Sequence, residues 1–411
     1  MISGRLWALL IAAGLLAAAL IAFALFPPKP LPDKLVLDPF VFVERLSVEH
    51  ALTGWADDDQ ALALDAFRRS CGRLLRLPDE RELADPAFGT VGDWRPACTA
   101  ALADPASDAT AARLFFQTWF RPVSIRNNGD DVGLFTGYFE PELNGHTSRT
   151  GAYQVPIYAP PPDYVGVDLG DFRTDLKGQR LVGRVVGGRL KPVESRSEID
   201  QGALDGRAEV LLWVDDPVDA FFLHIQGSGL VKMPDGSAVR VGYAGTNGHP
   251  YFAIGRSLVT RGALAQEEVS MQSIRDWLVA NPQQAVALMQ ENASYIFFRR
   301  LDGDAPVGAQ GVPLTPGRSL AVDTGWLPLG MPVWLDTVTD DHHETSDDPM
   351  YFRRLMIAQD TGGAIKGIVR GDVYWGTGAP AGAIAGRMRE AGRYYGLLPR
   401  AFLERRARSG D

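Results

Sequence analysis

The chain has 411 residues, of which 46% are hydrophobic and 22% are charged, with a formal net charge of −9. Its composition is that of a globular protein with room for two domains of ordinary size, which excludes a disordered chain. The acidic balance, without any basic stripe, argues against a nucleic-acid-binding protein.

The first predicted element is an apolar segment at the N-terminus. Residues 6–26 carry no charged or strongly polar side chain, and as a helix they would span about 31 Å, close to the ~30 Å core of a bilayer. A cleaved signal peptide usually has a shorter apolar run of about 7–15 residues. The sequence therefore favours an uncleaved transmembrane anchor over residues 1–26, with cleavage after Ala24 as the alternative. The Pro-rich residues 27–34 then predict a stiff spacer that holds the body off the membrane, on its extracytoplasmic side.

Helices are predicted between the spacer and about residue 132. The acidic residues Asp57–Asp59 provide an N-cap and a negatively charged first turn, and apolar residues follow at helical spacing from Leu62 to Leu75. A second helix is predicted to begin at Ser107. The two cysteines, Cys71 and Cys98, form either a disulfide in an oxidising compartment or two buried thiols, and their spacing does not decide between these states.

From about residue 132 the sequence consists mainly of short β-rich runs separated by Gly, Pro and Asp. The predicted strands include residues 210–214, 221–226 and 238–243, with a turn at Pro234–Ser237. The predicted helices are residues 267–280, 282–290 and, after a second β-rich block, about 381–395. The acidic segment 340–348 is interpreted as a solvated loop, and its two histidines as non-ligands, so no metal site is expected.

Two carboxylates, Asp360 and Asp372, stand at the edges of apolar runs in residues 355–378. Short runs broken by Gly predict tight strands of a small barrel. A carboxylate in such a place is costly unless it is paired or functional, so any chemistry is expected here. Asp-Thr-Gly occurs twice, at Asp323 and Asp360, as in aspartic proteases. The two copies are too close in sequence for a bilobal protease, so this interpretation is disfavoured.

Three segments favour an uncharged ligand that is rich in hydroxyl and amide groups. Residues 135–142 place an aromatic pair beside Gly and two acids, which is typical either of a sugar-stacking groove or of a capped strand with solvated acids. Residues 222–229 and 241–249 combine Gly with amides, hydroxyls and Tyr, and they lack the Lys-Ser/Thr sequence of a phosphate-binding loop. His224 lies among apolar neighbours and is interpreted as a core histidine rather than a base.

Six sequence blocks, in the same order, resemble the membrane-bound lytic murein transglycosylase A family. The blocks are Thr136–Phe139, Pro156–Tyr158, Arg196–Asp200, Ile225–Gly229, Tyr243–His249 and Gln359–Gly367. The resemblance implies a mainly β fold with helices, in which a second β domain is inserted into a double-psi β-barrel and a deep groove lies between them. The implied divisions are 35–139 (helical first part of the barrel domain), 140–290 (inserted β domain), 291–398 (barrel, with a three-aspartate module) and 399–411 (tail). The resemblance implies that the three acids of this module are Asp323, Asp360 and Asp372.

The resemblance also implies the chemistry of a lytic transglycosylase. Such an enzyme cleaves the β-1,4 bond between N-acetylmuramic acid and N-acetylglucosamine in peptidoglycan, and it forms 1,6-anhydromuramic acid. Asp372 matches the catalytic acid and is expected to act as acid and then base, while Asp360 either stabilises charge beside it or caps a turn. The expected substrate-binding residues are Thr136, Tyr138, Gln226, Ser228, Tyr243, Asn247 and Lys366. No cofactor is expected, and the expected partners are glycan strands and a membrane, with the body in the periplasm.

Two alternatives stay open at this point: an expansin-like protein that binds peptidoglycan without cleaving it, and a murein hydrolase that uses two carboxylates. The presence of both Asp360 and Asp372 argues against a pure binder, which needs no buried acid. One departure from the family concerns the anchor. Its best-known members carry a lipid on an N-terminal Cys, which this chain lacks, so the membrane that holds it is left open.

Overall fold

The computed structural model describes residues 40–42, 48–103, 108–176, 179–339 and 350–409. Within these ranges, no helix is long and apolar enough to cross a membrane. The predicted transmembrane anchor and spacer, and the acidic segment 340–348, lie outside the described residues.

Strands dominate the chain and helices cluster near its beginning and middle. The strands are β1 Phe40–Phe42, β2 Phe120–Ile125, β3 Gly133–Glu140, β4 Glu142–His146, β5 Val155–Tyr158, β6 Tyr164–Asp168, β7 Arg180–Val186, β8 Arg189–Lys191, β9 Val210–Val214, β10 Ser228–Lys232, β11 Ala238–Thr246, β12 Ile296–Leu301, β13 Ser319–Val322, β14 Pro332–Thr339, β15 Met350–Asp360, β16 Arg370–Thr377 and β17 Arg389–Pro399. The helices are α1 Val48–Ala51, α2 Ala61–Leu74, α3 Val91–Ala103, α4 Ala109–Trp119, α5 Arg196–Asp200, α6 Pro217–Gln226, α7 Gly255–Thr260, α8 Met271–Ala280, α9 Pro282–Gln290, α10 Gly378–Ala385 and α11 Arg400–Ser409.

Six strands close into a barrel. They follow the order β17, β14, β15, β13, β16 and β3, and the first residues of β17 pair with β3, which closes the ring. The far end of β17 pairs with β2, which in turn pairs with β1. The barrel shares one hydrophobic core with the helices α2 to α4, in which Phe67, Trp94 and Trp334 are almost fully buried. The predicted mainly β fold with helices is confirmed.

A second sheet of six strands has the order β12, β11, β10, β4, β9 and β5, and a small third sheet consists of β6, β7 and β8. The strands of both sheets come from residues 142–301, between the first and the later strands of the barrel. The strand β12 lies beyond the boundary at residue 291 that the sequence suggested, yet it pairs with β11 of the second sheet. The exact domain divisions stay a prediction.

The N-terminal helices form largely as the sequence predicts. The helix α2 begins at Ala61 with Gln60 as its N-cap and has no acid in its first turn, so the N-cap and acidic first turn predicted at Asp57–Asp59 are wrong. The Asp59 carboxylate accepts from the Ala61 amide at 3.0 Å from just before the helix. The next predicted helix, α4, begins at Ala109 with Asp108 as its N-cap. A disulfide between Cys71 and Cys98 joins α2 to α3, so the structure takes the first of the two states that the sequence left open.

Two of the predicted elements are wrong. Residues 221–226 form the end of the helix α6 and not a strand, because Asp216 caps the helix and Pro217 occupies its first position. The helix predicted over 381–395 ends at Ala385, and residues 389–399 form the strand β17. The strands predicted at 210–214 and 238–243 and the helix at 282–290 are confirmed, and the helix predicted from 267 begins at Met271.

Candidate active site

A row of paired residues crosses four strands of the barrel and contains both predicted carboxylates. Ala321 of β13 pairs with Asp360 of β15 on one side and with Asp372 of β16 on the other, and Asp372 pairs with Thr136 of β3. Directly paired residues place their side chains on the same face of a sheet. Since neighbouring strands are roughly 4.8 Å apart, the backbones of the two aspartates are separated by roughly 10 Å.

A cleft of about 460 Å³ lies over this row. The barrel contributes polar side chains to its wall, while the opposite wall comes mainly from helices and loops of the second sheet's region. The barrel residues include Thr136, Tyr138, Ala321, Asp360, Arg370, Asp372 and Arg389, and the opposite wall includes Phe222, Ile225, Gln226, Tyr251, Met271 and Ile274. The cleft therefore combines two partly buried acids with apolar and aromatic surface.

Asp372 is held by a two-step hydrogen-bond chain. The Thr136 hydroxyl donates to Asp372 Oδ1 at 2.5 Å, and Arg370 Nη2 donates to that hydroxyl oxygen at 2.8 Å. Because a guanidinium only donates, the hydroxyl proton of Thr136 is directed at Asp372. Within the described ranges, no side-chain or backbone donor bonds to the other oxygen, Oδ2, so that oxygen is the one that can carry a proton toward a ligand.

The environment of Asp372 favours its protonated form. Burial, and to a smaller extent the charge of Asp360, raise the pKa of this carboxyl to about 6, against the lowering effects of Thr136 and Arg370. A carboxyl with such a pKa is partly protonated near neutral pH, which is what a general acid requires.

Asp360 has a different environment in the same cleft. The Tyr138 hydroxyl donates to its Oδ2 at 2.8 Å, and the amides of Ala309 and Thr361 donate to its Oδ1 at 2.8 Å and 2.9 Å. Burial outweighs these three donors, so the pKa of Asp360 is raised as well, although each donor lowers it. Three donors stabilise the ionised carboxylate, so the pair can hold one proton on Asp372 and a charge on Asp360.

The third aspartate of the predicted module, Asp323, ties two turns together. Its Oδ1 accepts from the Gly325 amide at 3.1 Å and its Oδ2 from the Gly367 amide at 2.9 Å. The Lys366 ammonium lies 3.9 Å away, on a side chain that is 70% exposed. Neither Asp323 nor Lys366 lines the cleft.

Three of the expected substrate-binding residues lie in the cleft: Thr136, Tyr138 and Gln226. The Gln226 side chain accepts from the Phe139 amide at 3.1 Å and also contacts the sulfur of Met271 at 3.3 Å. It therefore connects the barrel strand β3 to the helix α8 across the cleft.

The other expected residues lie elsewhere. Tyr243 is 53% exposed on β11, and Ser228 is paired on β10. Asn247 is fully buried, and its amide donates to the carbonyls of Glu194 and Ala293, both at 2.9 Å. Its contacts are those of a structural residue.

His224 is a core histidine, as predicted. It is 6% exposed, and its Nδ1 accepts from the Ile296 amide at 3.1 Å. Sequence reasoning missed Arg370. Side chains alternate between the two faces of a strand, so Arg370 lies on the same face of β16 as Asp372, which follows it by two residues. Sequence reasoning also missed the Ala309 amide, for which no local pattern gives a signal.

Comparison with known proteins places the chain among cell-wall enzymes. Residues 134–299 match a family model described as the MltA specific insert domain, and residues 318–398 match the 3D domain. Membrane-bound lytic murein transglycosylase A of Vibrio cholerae is 34% identical over 274 residues, which is 66% of this chain and 67% of the relative.

Solved structures extend the similarity over most of the chain. The membrane-bound lytic murein transglycosylase from Agrobacterium tumefaciens has a TM-score of 0.77 and 34% identity, covering 89% of this chain and 99% of that one. Escherichia coli MltA with bound chitohexaose has a TM-score of 0.64 and 28% identity, covering 88% of this chain and 94% of that one.

Proposed function

The chain belongs to the membrane-bound lytic murein transglycosylase A family, and from this we propose that it is a peptidoglycan lytic transglycosylase. It cleaves the β-1,4 bond between N-acetylmuramic acid and N-acetylglucosamine and leaves a 1,6-anhydromuramic acid end. The observation that supports this function best is the Asp372 carboxyl, which lies in a large cleft with its pKa raised to about 6.

In the first step, Asp372 Oδ2 donates its proton to the glycosidic oxygen as the bond from that oxygen to C1 of muramic acid breaks. In the second step, the muramic acid's own 6-hydroxyl attacks C1, and the Asp372 carboxylate takes the proton from that hydroxyl. No water is consumed and the carboxyl returns to its starting state. One acid therefore suffices, whereas hydrolysis of the same bond uses two carboxylates.

Asp360 serves as the charged neighbour of this acid. Its ionised form raises the pKa of Asp372, and it also favours the positive charge that develops at C1 when the bond breaks. Burial and the Asp360 carboxylate raise the pKa of Tyr138. The Tyr138 hydroxyl therefore stays protonated and donates a hydrogen bond to Asp360.

The cleft is where we place the glycan. Thr136, Tyr138 and Gln226 line it and are the retained binding residues, while contacts with sugar by Ser228, Tyr243 and Lys366 stay predictions. The relative from Escherichia coli was crystallised with chitohexaose, which supports a β-1,4-linked sugar chain as the ligand.

We place the body in the periplasm, anchored to a membrane through residues 6–26, and its barrel in the double-psi class. The name of the Vibrio cholerae relative supports membrane attachment. The disulfide between Cys71 and Cys98 supports an oxidising compartment.

Digestion of murein sacculi by the purified protein tests the function. Mass spectrometry should find anhydro-muropeptides, which are lighter by one water than the products of hydrolysis. Asp372→Asn should lower their release by roughly 10²- to 10⁴-fold, the usual contribution of a general acid, whereas the exposed Asp302→Asn should not.

Two results would contradict the proposal. Reducing-end products would mean a hydrolase that uses Asp360 and Asp372 as its two carboxylates. Binding of sacculi without release of any product would mean a wall-binding protein.

A further inference from the structure

A second cavity, of about 440 Å³, lies on the other side of the helix α6 from the cleft. Phe221 lines both spaces, whereas Gln226 lines the cleft and His224 lines the second cavity. The proposed reaction makes no use of this cavity, although its size is within the range of small-ligand sites, about 300–1,000 Å³.

The floor of the cavity holds a buried cation. Arg196 is 4% exposed, and its guanidinium lies over the rings of Phe221 and Tyr295 at 4.9 Å and 5.3 Å. Its Nε and Nη2 donate to the carbonyls of Asn292 and Ser294 at 3.0 Å and 2.8 Å. In the described part of the chain, no carboxylate oxygen lies within 4.0 Å of the Arg196 guanidinium, which is the limit for an ion pair. Buried charges are usually paired, but Asp200 acts on this charge only from beyond ion-pair distance, so the guanidinium has no directly bound carboxylate among the described residues.

Two donors on the floor have no protein partner within the described residues. Arg196 Nη1 and His224 Nε2 make no hydrogen bond there. Neither atom is among the polar atoms that are completely enclosed by protein without a partner. Both atoms therefore have access to the cavity. Burial and the Arg196 charge lower the pKa of His224 well below its usual value, and its Nδ1 accepts from a backbone amide. The ring is thus neutral, with its proton on Nε2.

The rest of the lining is mixed in charge. Arg149 lies over the ring of Trp213 at 5.3 Å, and the carboxylates of Asp200 and Asp205 also line the cavity. Asp205 Oδ1 accepts from the Tyr158 hydroxyl at 2.7 Å. A ligand that satisfies this cavity carries an anionic group for the donors of the floor and a cationic or amide N–H group for the two aspartates.

We propose that this cavity binds a short peptide by its free carboxylate, of the kind that murein carries on its muramic acid residues. The carboxylate pairs with Arg196 and accepts a hydrogen bond from His224, and an ammonium group of the peptide pairs with Asp200 or Asp205. This proposal rests on the proposed function, since the peptide arrives attached to the glycan. A helix is about 10–12 Å across and an extended chain spans about 3.3 Å per residue, so a peptide on a sugar in the cleft needs about four or more residues to cross α6.

Calorimetry on the wild-type protein tests the proposal. The probe is a synthetic tripeptide of stem-peptide composition with free carboxyl groups, and its control is the same peptide with every carboxyl group amidated. The acid form should bind, and the amidated form should bind at least tenfold more weakly. Equal binding of the two forms, or binding of neither, would overturn the proposal. If acetate displaces the peptide and binds with equal affinity, the cavity is a general anion site, and this result would also overturn the proposal.

Variants locate the binding. Arg196→Gln should lose the preference for the acid form, and Arg149→Gln, at the exposed rim, should weaken binding several-fold with less effect on folding. Trp213→Phe should retain most of the calorimetric binding but remove a ligand-dependent change in tryptophan fluorescence. Unchanged preference in Arg196→Gln, with native circular dichroism, would contradict the assignment.

The outcome is separable from that of the proposed function. A protein that releases anhydro-muropeptides but does not bind the acid peptide overturns only the peptide site. A protein that binds the peptide at this cavity but releases no anhydro product overturns only the lytic function.

Discussion

Asp372 illustrates at the scale of one residue how a reactive group opposes stability. Its pKa of about 6 in the folded protein is about two units above the value of roughly 3.9 in an unfolded chain. Between these values the folded state binds more protons than the unfolded state. The free energy of unfolding therefore falls as the pH rises from about 4 to about 6, and the loss persists at higher pH.

Replacing Asp372 by Asn should stabilise the protein at neutral and alkaline pH. Asn has the same shape and no charge to bury, so the variant should gain up to about 3 kcal/mol in the free energy of unfolding at pH 8, which corresponds to the two-unit shift. Urea denaturation at pH 4 and pH 8 measures this. The two proteins should be nearly equal at pH 4, and equality at pH 8 as well would mean that Asp372 is not destabilised by burial.

Thr136 should set the pH range of the reaction through Asp372. Its hydroxyl stabilises the ionised carboxylate, so Thr136→Val should raise the pKa of Asp372 further. A bond to a charged group is worth about 1.5–3 kcal/mol, which predicts that the alkaline limb of kcat/KM moves up by roughly one to two pH units. Thr136→Ser retains the donor and should keep the wild-type profile. An unchanged limb in the valine variant would show that another group acts as the acid.

At the scale of single elements, local signals in the sequence account for much of what could be predicted. The helix α9 starts at Pro282, as its sequence predicts, because a proline at the first helical position is a local feature. The helix α6 is apolar nearly all round, since Phe221 and Phe222 are both buried, and such a short run does not distinguish strand from helix. The strand β17 depends on pairing with β14, β2 and β3, which no window of its own sequence contains.

In the candidate site, too, some features follow from local sequence and others only from the pairing of distant strands. Asp360 and Asp372 could be predicted because carboxylates at the ends of apolar strands are costly without a task. The bond from Thr136 to Asp372 joins residues 236 positions apart through the parallel pairing of β3 with β16. Such a contact follows from the closed topology of the barrel, which a single sequence does not encode locally.

The disulfide between α2 and α3 should contribute measurably to stability. Cys71 and Cys98 are 27 residues apart, and closing a loop of this length in the unfolded chain is worth about 3.5 kcal/mol in the chain-entropy account. Urea denaturation with and without a reductant should show a loss of this order. A Cys71→Ala/Cys98→Ala variant should start from the lower stability and not respond to the reductant. If the reductant leaves the wild-type midpoint unchanged, the bond does not form in the purified protein.

At the scale of the whole molecule, a buried ion pair joins the barrel to the second sheet. Glu140 ends the barrel strand β3, and Arg240 lies on β11. The Arg240 Nε and Nη2 atoms donate to the two carboxylate oxygens at 2.7 Å and 3.2 Å, and the Thr377 hydroxyl donates at 2.7 Å. The Glu140 side chain is fully buried and that of Arg240 is 9% exposed. The pair therefore joins the barrel directly to the sheet whose region supplies the opposite wall of the cleft.

Replacing one residue of the Glu140–Arg240 pair should lower the free energy of unfolding far more than replacing both. Arg240→Met leaves Glu140 as a buried, uncompensated charge and should lower the free energy of unfolding by about 3–5 kcal/mol, whereas Glu140→Gln/Arg240→Met should recover most of that loss. Urea denaturation of both single variants and the double variant gives the coupling between the two residues. If the double variant recovers stability but not the release of anhydro-muropeptides, the pair also fixes the position of one cleft wall against the other. If Arg240→Met is no less stable than the double variant, the pair does not hold the two sheets together.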